Sequence, residues 1–263
     1  MSMINRQFSL ALEALAELKA DDTAPPPSVE PIPVAPSLSE VLAGIEPLPR
    51  EALLLGVASD GLPVLLNLRD PLPGPILVVG EAGAGKTTFL QTMTQSVIQT
   101  YDSNNVQYGV ITNHTDEWES VTATSHRVGL FAPDQADAKD LIISLASWAH
   151  ANRNARQSVL LLIDDLEAVA NLDPDTLQNF RWLLLRGPAR RVWPVITLNA
   201  ERYEQVISWL QNFRTRIFGR IVDESAAGAL GADKTSSLNQ LEARIQFSLR
   251  ENGNWLRFWL PSF

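Results

Sequence analysis

The densest chemistry in the chain lies in eight residues, Gly80-Glu81-Ala82-Gly83-Ala84-Gly85-Lys86-Thr87, and what they suit is a polyphosphate. They match G-x-x-x-x-G-K-[ST] at every fixed position. Gly80, Gly83 and Gly85 lack a Cβ, so they are expected to take positive φ and let the backbone approach a phosphate closely. Successive N–H groups of the turn around residues 80 to 87 then point into one concavity at the positive end of a helix dipole. Lys86 would set an ammonium against the β- and γ-phosphates. Thr87 offers a hydroxyl to magnesium, and Thr88 can donate to the α-phosphate. The plainer alternative is a glycine-rich turn beside a surface lysine. The strand-like run before the turn and the helical pattern after it argue against that.

A second cluster is Val159-Leu-Leu-Leu-Ile163-Asp164-Asp165, aliphatic residues ending in two carboxylates. In phosphoryl-transfer sites of this kind an acid at the end of a neighbouring strand holds Mg2+. A strand apolar on both faces would bring Asp164 to the sheet's carboxyl edge, beside the phosphate loop. Asp164 is then the magnesium acid, and Asp165 polarises the attacking water. The alternative is a helix N-cap pair after a core strand. A glutamate is usual at the second acidic position. Aspartate is one methylene shorter, which implies slower turnover, and Glu167 is a less naturally spaced substitute. Val192 to Leu198 should form a strand between the two motifs. It ends in Asn199, with Thr197 two residues earlier, and either side chain is placed to sense a γ-phosphate.

These groups need a scaffold, and the 263 residues supply enough chain for one α/β domain with appendages. Hydrophobic residues make up 45% and charged residues 19%, the balance of a globular protein with a sizeable core. Ile76 to Val79 reads as a buried strand and Thr87 to Thr100 as a helix. Val106 to Thr112 and Val128 to Phe131 read as strands, and Ala136 to Arg153 as a long helix. Asp173 and Pro174 open another helix, which runs to about Arg186. A helix over Val206 to Gln211 and a strand over Arg216 to Val222 follow. Strands separated by helices predict a mostly parallel central sheet flanked by helices. Two antiparallel hairpins are expected around it. Glu51 to Leu68 turns at Asp60-Gly61, and Arg244–Leu249 pairs with Trp255–Leu260 across Asn252-Gly253.

This domain is expected from residue 38 to 263, and near its start Ser39 is a candidate cap for a short helix through Gly44. Phe8 to Lys19 has the spacing of an amphipathic helix within residues 1–20. Residues 21–37 carry six prolines and read as a linker. Residues 1–37 could dock a protein partner.

The net charge of -9 gives no support for wholesale nucleic-acid binding. A ring can still confine its cations to one lining surface. The densest basic cluster is Arg186 to Arg191, with Arg153 and Arg156 as further candidates. No cysteine is present, which excludes disulfides and thiolate metal sites. His114, His126 and His150 lack ligand spacing and read as surface or capping residues. No apolar run reaches the ~20 residues of a membrane span. With no signal peptide evident at the N-terminus, the cytoplasm is the expected compartment.

Taken in order, the pieces resemble the FtsK/HerA group of DNA-pumping ATPases. The likeness rests on four stretches. They are the lead-in Leu55-Gly56…Asp60-Gly61-Leu-Pro63-Val64…Leu68, the loop segment Pro75 to Thr87, the acidic strand Val159 to Asp165, and Phe213-Arg-Thr215-Arg216-Ile217-Phe218 followed by Glu224 to Gly231. The resemblance implies a RecA-like core, ATP and Mg2+ as ligands, hydrolysis of ATP, a homo-oligomeric ring and duplex DNA as its track. It also implies an arginine given to a neighbouring subunit's γ-phosphate. Arg216 aligns best with that residue, with Arg214 and Arg220 beside it. The group's glutamine after the sensor strand is replaced here by Ala200 and Glu201. A regulatory ATPase that kept the site and lost translocation is the alternative. A metabolite kinase fits less well, because no lid or substrate-phosphate arginine cluster is evident.

Overall fold

A computed structural model describes residues 36–45, 48–49, 51–119, 121, 124–151, 156–251 and 253–263. The amphipathic helix expected within residues 1–20, and all but the last two residues of the linker, lie outside that set.

Ten strands form one sheet among the described residues: β1 Ala52–Ala58, β2 Pro63–Asn67, β3 Ile76–Gly80, β4 Val106–Thr112, β5 Arg127–Phe131, β6 Ser158–Asp164, β7 Val192–Asn199, β8 Thr215–Phe218, β9 Gln246–Glu251 and β10 Asn254–Trp259. Their spatial order is β2-β1-β10-β9-β8-β3-β7-β6-β4-β5. From β8 to β5 every pairing is parallel. From β2 to β8 every pairing is antiparallel. The two expected hairpins therefore meet: β1 pairs with β10, and the C-terminal hairpin ties the lead-in hairpin to the parallel core.

The helices are α1 Leu38–Gly44, α2 Lys86–Thr100, α3 Ala136–Ala151, α4 Leu166–Ala170, α5 Pro174–Arg186 and α6 Glu224–Ala229. Every residue of β3 and β6 is buried, as strands covered on both faces require. Alternation in β3 divides the core. Ile76 and Val78 join Phe89, Leu90, Met93 and Val97 of α2 on one side. Leu77 and Val79 join Ile142, Phe180 and Leu183 of α3 and α5 on the other. No helix of the described residues is long and apolar enough to cross a membrane.

Local chemistry accounts for the departures from expectation. Ser37, rather than Ser39, caps α1, because only a cap at 37 places a glutamate at the third helical position. Glu40 donates its backbone N–H to Ser37 Oγ at 3.3 Å and accepts from Ser37 N at 2.8 Å. The segment expected as a helix from Val206 begins at Ala200 as a 3₁₀ stretch running to Asn212, broken at Val206 (φ -125°, ψ 18°). Asn199 starts it early by accepting from Glu201 N at 3.2 Å. β8 ends at Phe218, short of the expected Val222, because the chain there turns to follow the phosphate loop. Gly219 N donates to Val79 O at 2.7 Å and Glu81 N to Arg220 O at 3.0 Å. β9 starts at Gln246 rather than Arg244, which stands at φ 76°. His126 is buried, not superficial, with Nδ1 2.9 Å from Val106 O. α6 was not anticipated, and α4 only as the helix that the N-cap alternative for Asp164 and Asp165 required. The expected end of α3 at Arg153 lies outside the described residues.

Candidate nucleotide site

The phosphate loop joins β3 to α2 with no intervening structure. Gly83 (φ 76°) and Gly85 (φ 94°) are left-handed, as expected. Gly80 is not; it is needed for closeness instead. A Cβ there would stand 2.7 Å from that of Ala84, and one on Gly85 would stand 2.5 Å from the backbone of Arg244. Arg244 N in turn donates to Ala84 O at 3.0 Å. The C-terminal segment thus braces the loop from outside, a contact the local pattern gives no sign of.

Lys86 Nζ donates to Gly80 O at 3.1 Å and Glu81 O at 2.9 Å, which holds the ammonium across the mouth of the loop. Burial lowers the Lys86 pKa from the ordinary lysine value, and Asp164, Asp165, Glu201 and Glu81 oppose that shift. Thr87 Oγ1 donates to Asp164 Oδ2 at 2.7 Å. Thr197 Oγ1 donates to Asp164 Oδ1 at 2.5 Å. The central strand β7 lies between β3 and β6, which puts Thr197 beside the acid. Asn199 is in register with Gly80 and spends its side-chain oxygen on Glu201 N.

Asp165 is half-buried at the N-cap of α4. Desolvation raises its pKa from the usual carboxylate value, with Glu167 and Asp164 adding to the shift and Arg202 pulling it back. A cleft of about 500 Å³ opens here, lined by Lys86, Thr87, Asp164, Asp165, Glu167 and Arg202 among others. Glu167 and Arg202 form an ion pair within it, Arg202 Nη1 to Glu167 Oε2 at 3.0 Å. Pattern reading passed over Arg202. Its place one turn beyond a strand that ends at the loop was the available signal.

The donor set suits Mg2+. A hydroxyl and a carboxylate in contact are hard oxygen ligands, few enough to leave positions for phosphate oxygens and water. Among the described residues no group of three or more His, Cys, Asp or Glu is placed to hold a metal by itself.

Arg216, expected at the edge of a neighbour's site, is instead turned inward. Its guanidinium donates to Leu230 O at 2.5 Å and Leu210 O at 2.9 Å. Arg220 faces Glu81 at 3.5 Å, and Arg214 is exposed. In the basic cluster, Arg191 is paired with Glu51.

The FtsK/SpoIIIE family profile matches residues 49–175, which span the lead-in hairpin, the phosphate loop and the Asp164–Asp165 strand. That segment is of the FtsK/SpoIIIE type, the type of a P-loop ATPase. Solved structures agree on the fold. ATPases 2 and 3 of EccC from Thermomonospora curvata, in complex with a signal sequence peptide, are 17% identical, with TM-score 0.67, over 93% of this chain and 46% of that one. ATPases 2 and 3 of EssC from Geobacillus thermodenitrificans are 14% identical, with TM-score 0.66, over 92% and 48%. The pCW3 conjugation coupling protein TcpA, a monomer form with ATPγS, is 15% identical, with TM-score 0.65, over 87% and 70%. The chain therefore spans about half the length of the EccC and EssC chains it matches. No curated protein sequence matches it.

Proposed function

We propose that this ATPase binds ATP with Mg2+ between the loop 80–88 and the Asp164 carboxylate, and uses its hydrolysis to drive movement on duplex DNA as a homo-oligomer in the cytoplasm. The observation that carries the nucleotide reading is the Thr87–Asp164–Thr197 hydrogen-bonded set, closed by Lys86 over the loop. In this reading the amides of Gly80 to Thr88 enclose the phosphates, and Lys86 neutralises the β- and γ-oxygens. Thr87 and Asp164 would hold the metal, which would supply charge neutralisation on the phosphates. Asp165 accepts a proton from the attacking water. Asn199 or Thr197 reports the γ-phosphate to β7.

The DNA part is supported by position. Arg156 precedes β6, and Arg186 and Arg190 precede β7, so all three lie at the amino edge of the parallel strands, away from the carboxylates. Among the described residues none of the three has an ion-pair partner. Two observations favour a second reading, an ATP-dependent switch that does not translocate: Arg216 is bound to carbonyls inside its own subunit, and Arg191 is tied to Glu51. Docking of a partner through residues 1–37 belongs to that reading.

Solution mass and ATP turnover, each measured with and without ATP and duplex DNA, separate the two. The motor reading expects a larger assembly with ATP and faster turnover with DNA. A chain that stays monomeric with ATP, at a turnover indifferent to DNA, leaves the switch.

A further inference from the structure

The cleft holds one feature that the nucleotide reading does not use. Glu167 projects from the first turn of α4, just beyond the two acids, and Arg202 from the 3₁₀ stretch just beyond β7. They meet across the gap between β6 and β7, with Arg202 Nη1 3.0 Å from Glu167 Oε2. The other carboxylate oxygen, Glu167 Oε1, is buried without a hydrogen-bond partner among the described residues. An ion pair kept only for stability is expected to satisfy both oxygens, because an unsatisfied buried acceptor is costly. This pair is half-made on one side and loose on the other: the Arg202 side chain is 54% exposed and Glu167 16%.

The cleft's charge adds a second observation. Asp164, Asp165, Glu117 and Glu167 line it. Its lysine and arginine cations, among the described residues, are Lys86 and Arg202, and Lys86 is already bound to two loop carbonyls. Arg216 is held inside the fold and is not available to its own site.

We infer that Arg202 is the cation that contacts the γ-phosphate within its own subunit, held by Glu167 until a nucleoside triphosphate takes it over. The inference rests on the ATP-site reading above. A planar guanidinium forms a two-pronged, charge-assisted contact with phosphate oxygens, whereas a single contact from a half-exposed guanidinium to one carboxylate oxygen is weak. The triphosphate therefore wins the exchange, and a diphosphate, which ends short of the arginine, does not. Glu167 sets the threshold of that exchange. β7 and the 3₁₀ stretch behind it carry the difference between the two states.

The test is binding of ATPγS and of ADP, each with Mg2+, to the full chain and to its variants. Arg202→Ala should weaken ATPγS by about tenfold or more and leave ADP within about twofold. Arg202→Lys, which keeps the charge and loses the fork, should fall between. Glu167→Gln releases the arginine and should tighten ATPγS severalfold with ADP unchanged. Matching thermal melts identify the variants that fold as the parent does. If Arg202→Ala shifts both nucleotides equally, or neither, the assignment is wrong. Lys86→Ala keeps the two readings apart: it should lose both nucleotides. If it binds both as the parent does, the nucleotide site itself is misplaced, whatever Arg202 does.

Discussion

At Asp164 and Asp165, neighbouring carboxylates have opposite surroundings. Asp164 is buried yet accepts from two threonine hydroxyls, whereas Asp165 is short of donors and lies beside Asp164 and Glu167. Ionised Asp165 is therefore a strain on the nucleotide-free fold, because burial and like charge both disfavour it. The sign follows from linkage. Its folded pKa lies above the unfolded one, so the penalty is absent below the unfolded pKa and grows as pH rises through the folded one. Asp165→Asn should raise the melting temperature of the metal-free, nucleotide-free protein at neutral pH. That gain should shrink as the solution is acidified, while ATP turnover is lost. Melting curves across pH check the first outcome, and an unchanged melting temperature at neutral pH would remove the argument for a strained site. Residue types alone named Lys86, Thr87 and Asp164, because the motif prescribes them. They did not name Thr197 as the acid's second donor, since that depends on the register of β7 against β6, where Ile196 stands opposite Ile163.

Elements bring these residues together through one sheet edge. The parallel strands β3, β7 and β6 all end at the loop, and hydrophobic patterning was enough to find each of them. Pairing between distant hairpins was not legible in that way. β1 and β10 meet at Val57–Trp259 and Ala58–Phe258, and Gly56 beside them lets the two strands close. A Cβ on Gly56 would stand 2.4 Å from the Phe258 ring and 2.6 Å from Trp259 O. Phe258 is fully buried against Phe247 and Phe89 and has no room to retreat. Gly56→Ala should therefore destabilise the domain by roughly 1–3 kcal/mol, the usual cost of overpacking. Urea denaturation reads it as a lower midpoint at unchanged slope. A midpoint equal to the parent's would mean that the hairpins are less tightly joined than they are drawn here. The 3₁₀ stretch after β7 was misread for a related reason: its start is set by the Asn199 side chain and its break by burial of Val206, and neither follows from periodicity.

At the scale of the whole sheet, among the described residues, acids gather at one edge and three arginines without ion-pair partners lie at the other. The edge bearing the site gathers Asp164, Asp165, Glu167, Glu117 and Glu201, while Arg156, Arg186 and Arg190 precede strands at the other. Duplex DNA, too large to reach the loop amides that offset those acids, would be received at the second edge rather than the first. If the motor reading holds, Arg186→Glu combined with Arg190→Glu should weaken duplex DNA binding. It should also reduce the slope of log affinity against log salt by about one per lost phosphate contact, with ATPγS binding untouched. Affinity and slope equal to the parent's would leave DNA without a surface on this domain. Net charge alone could not reveal that division, because it sums over edges that only folding separates. The sequence by itself determined the loop motif, the acidic pair that accompanies it and the alternation of strands and helices, since each is a local pattern of side-chain type and spacing. The tertiary structure decided which threonine meets the acid, which arginine faces the cleft and which is locked onto carbonyls. Those outcomes depend on contacts between residues far apart in the chain, whose register no local period records.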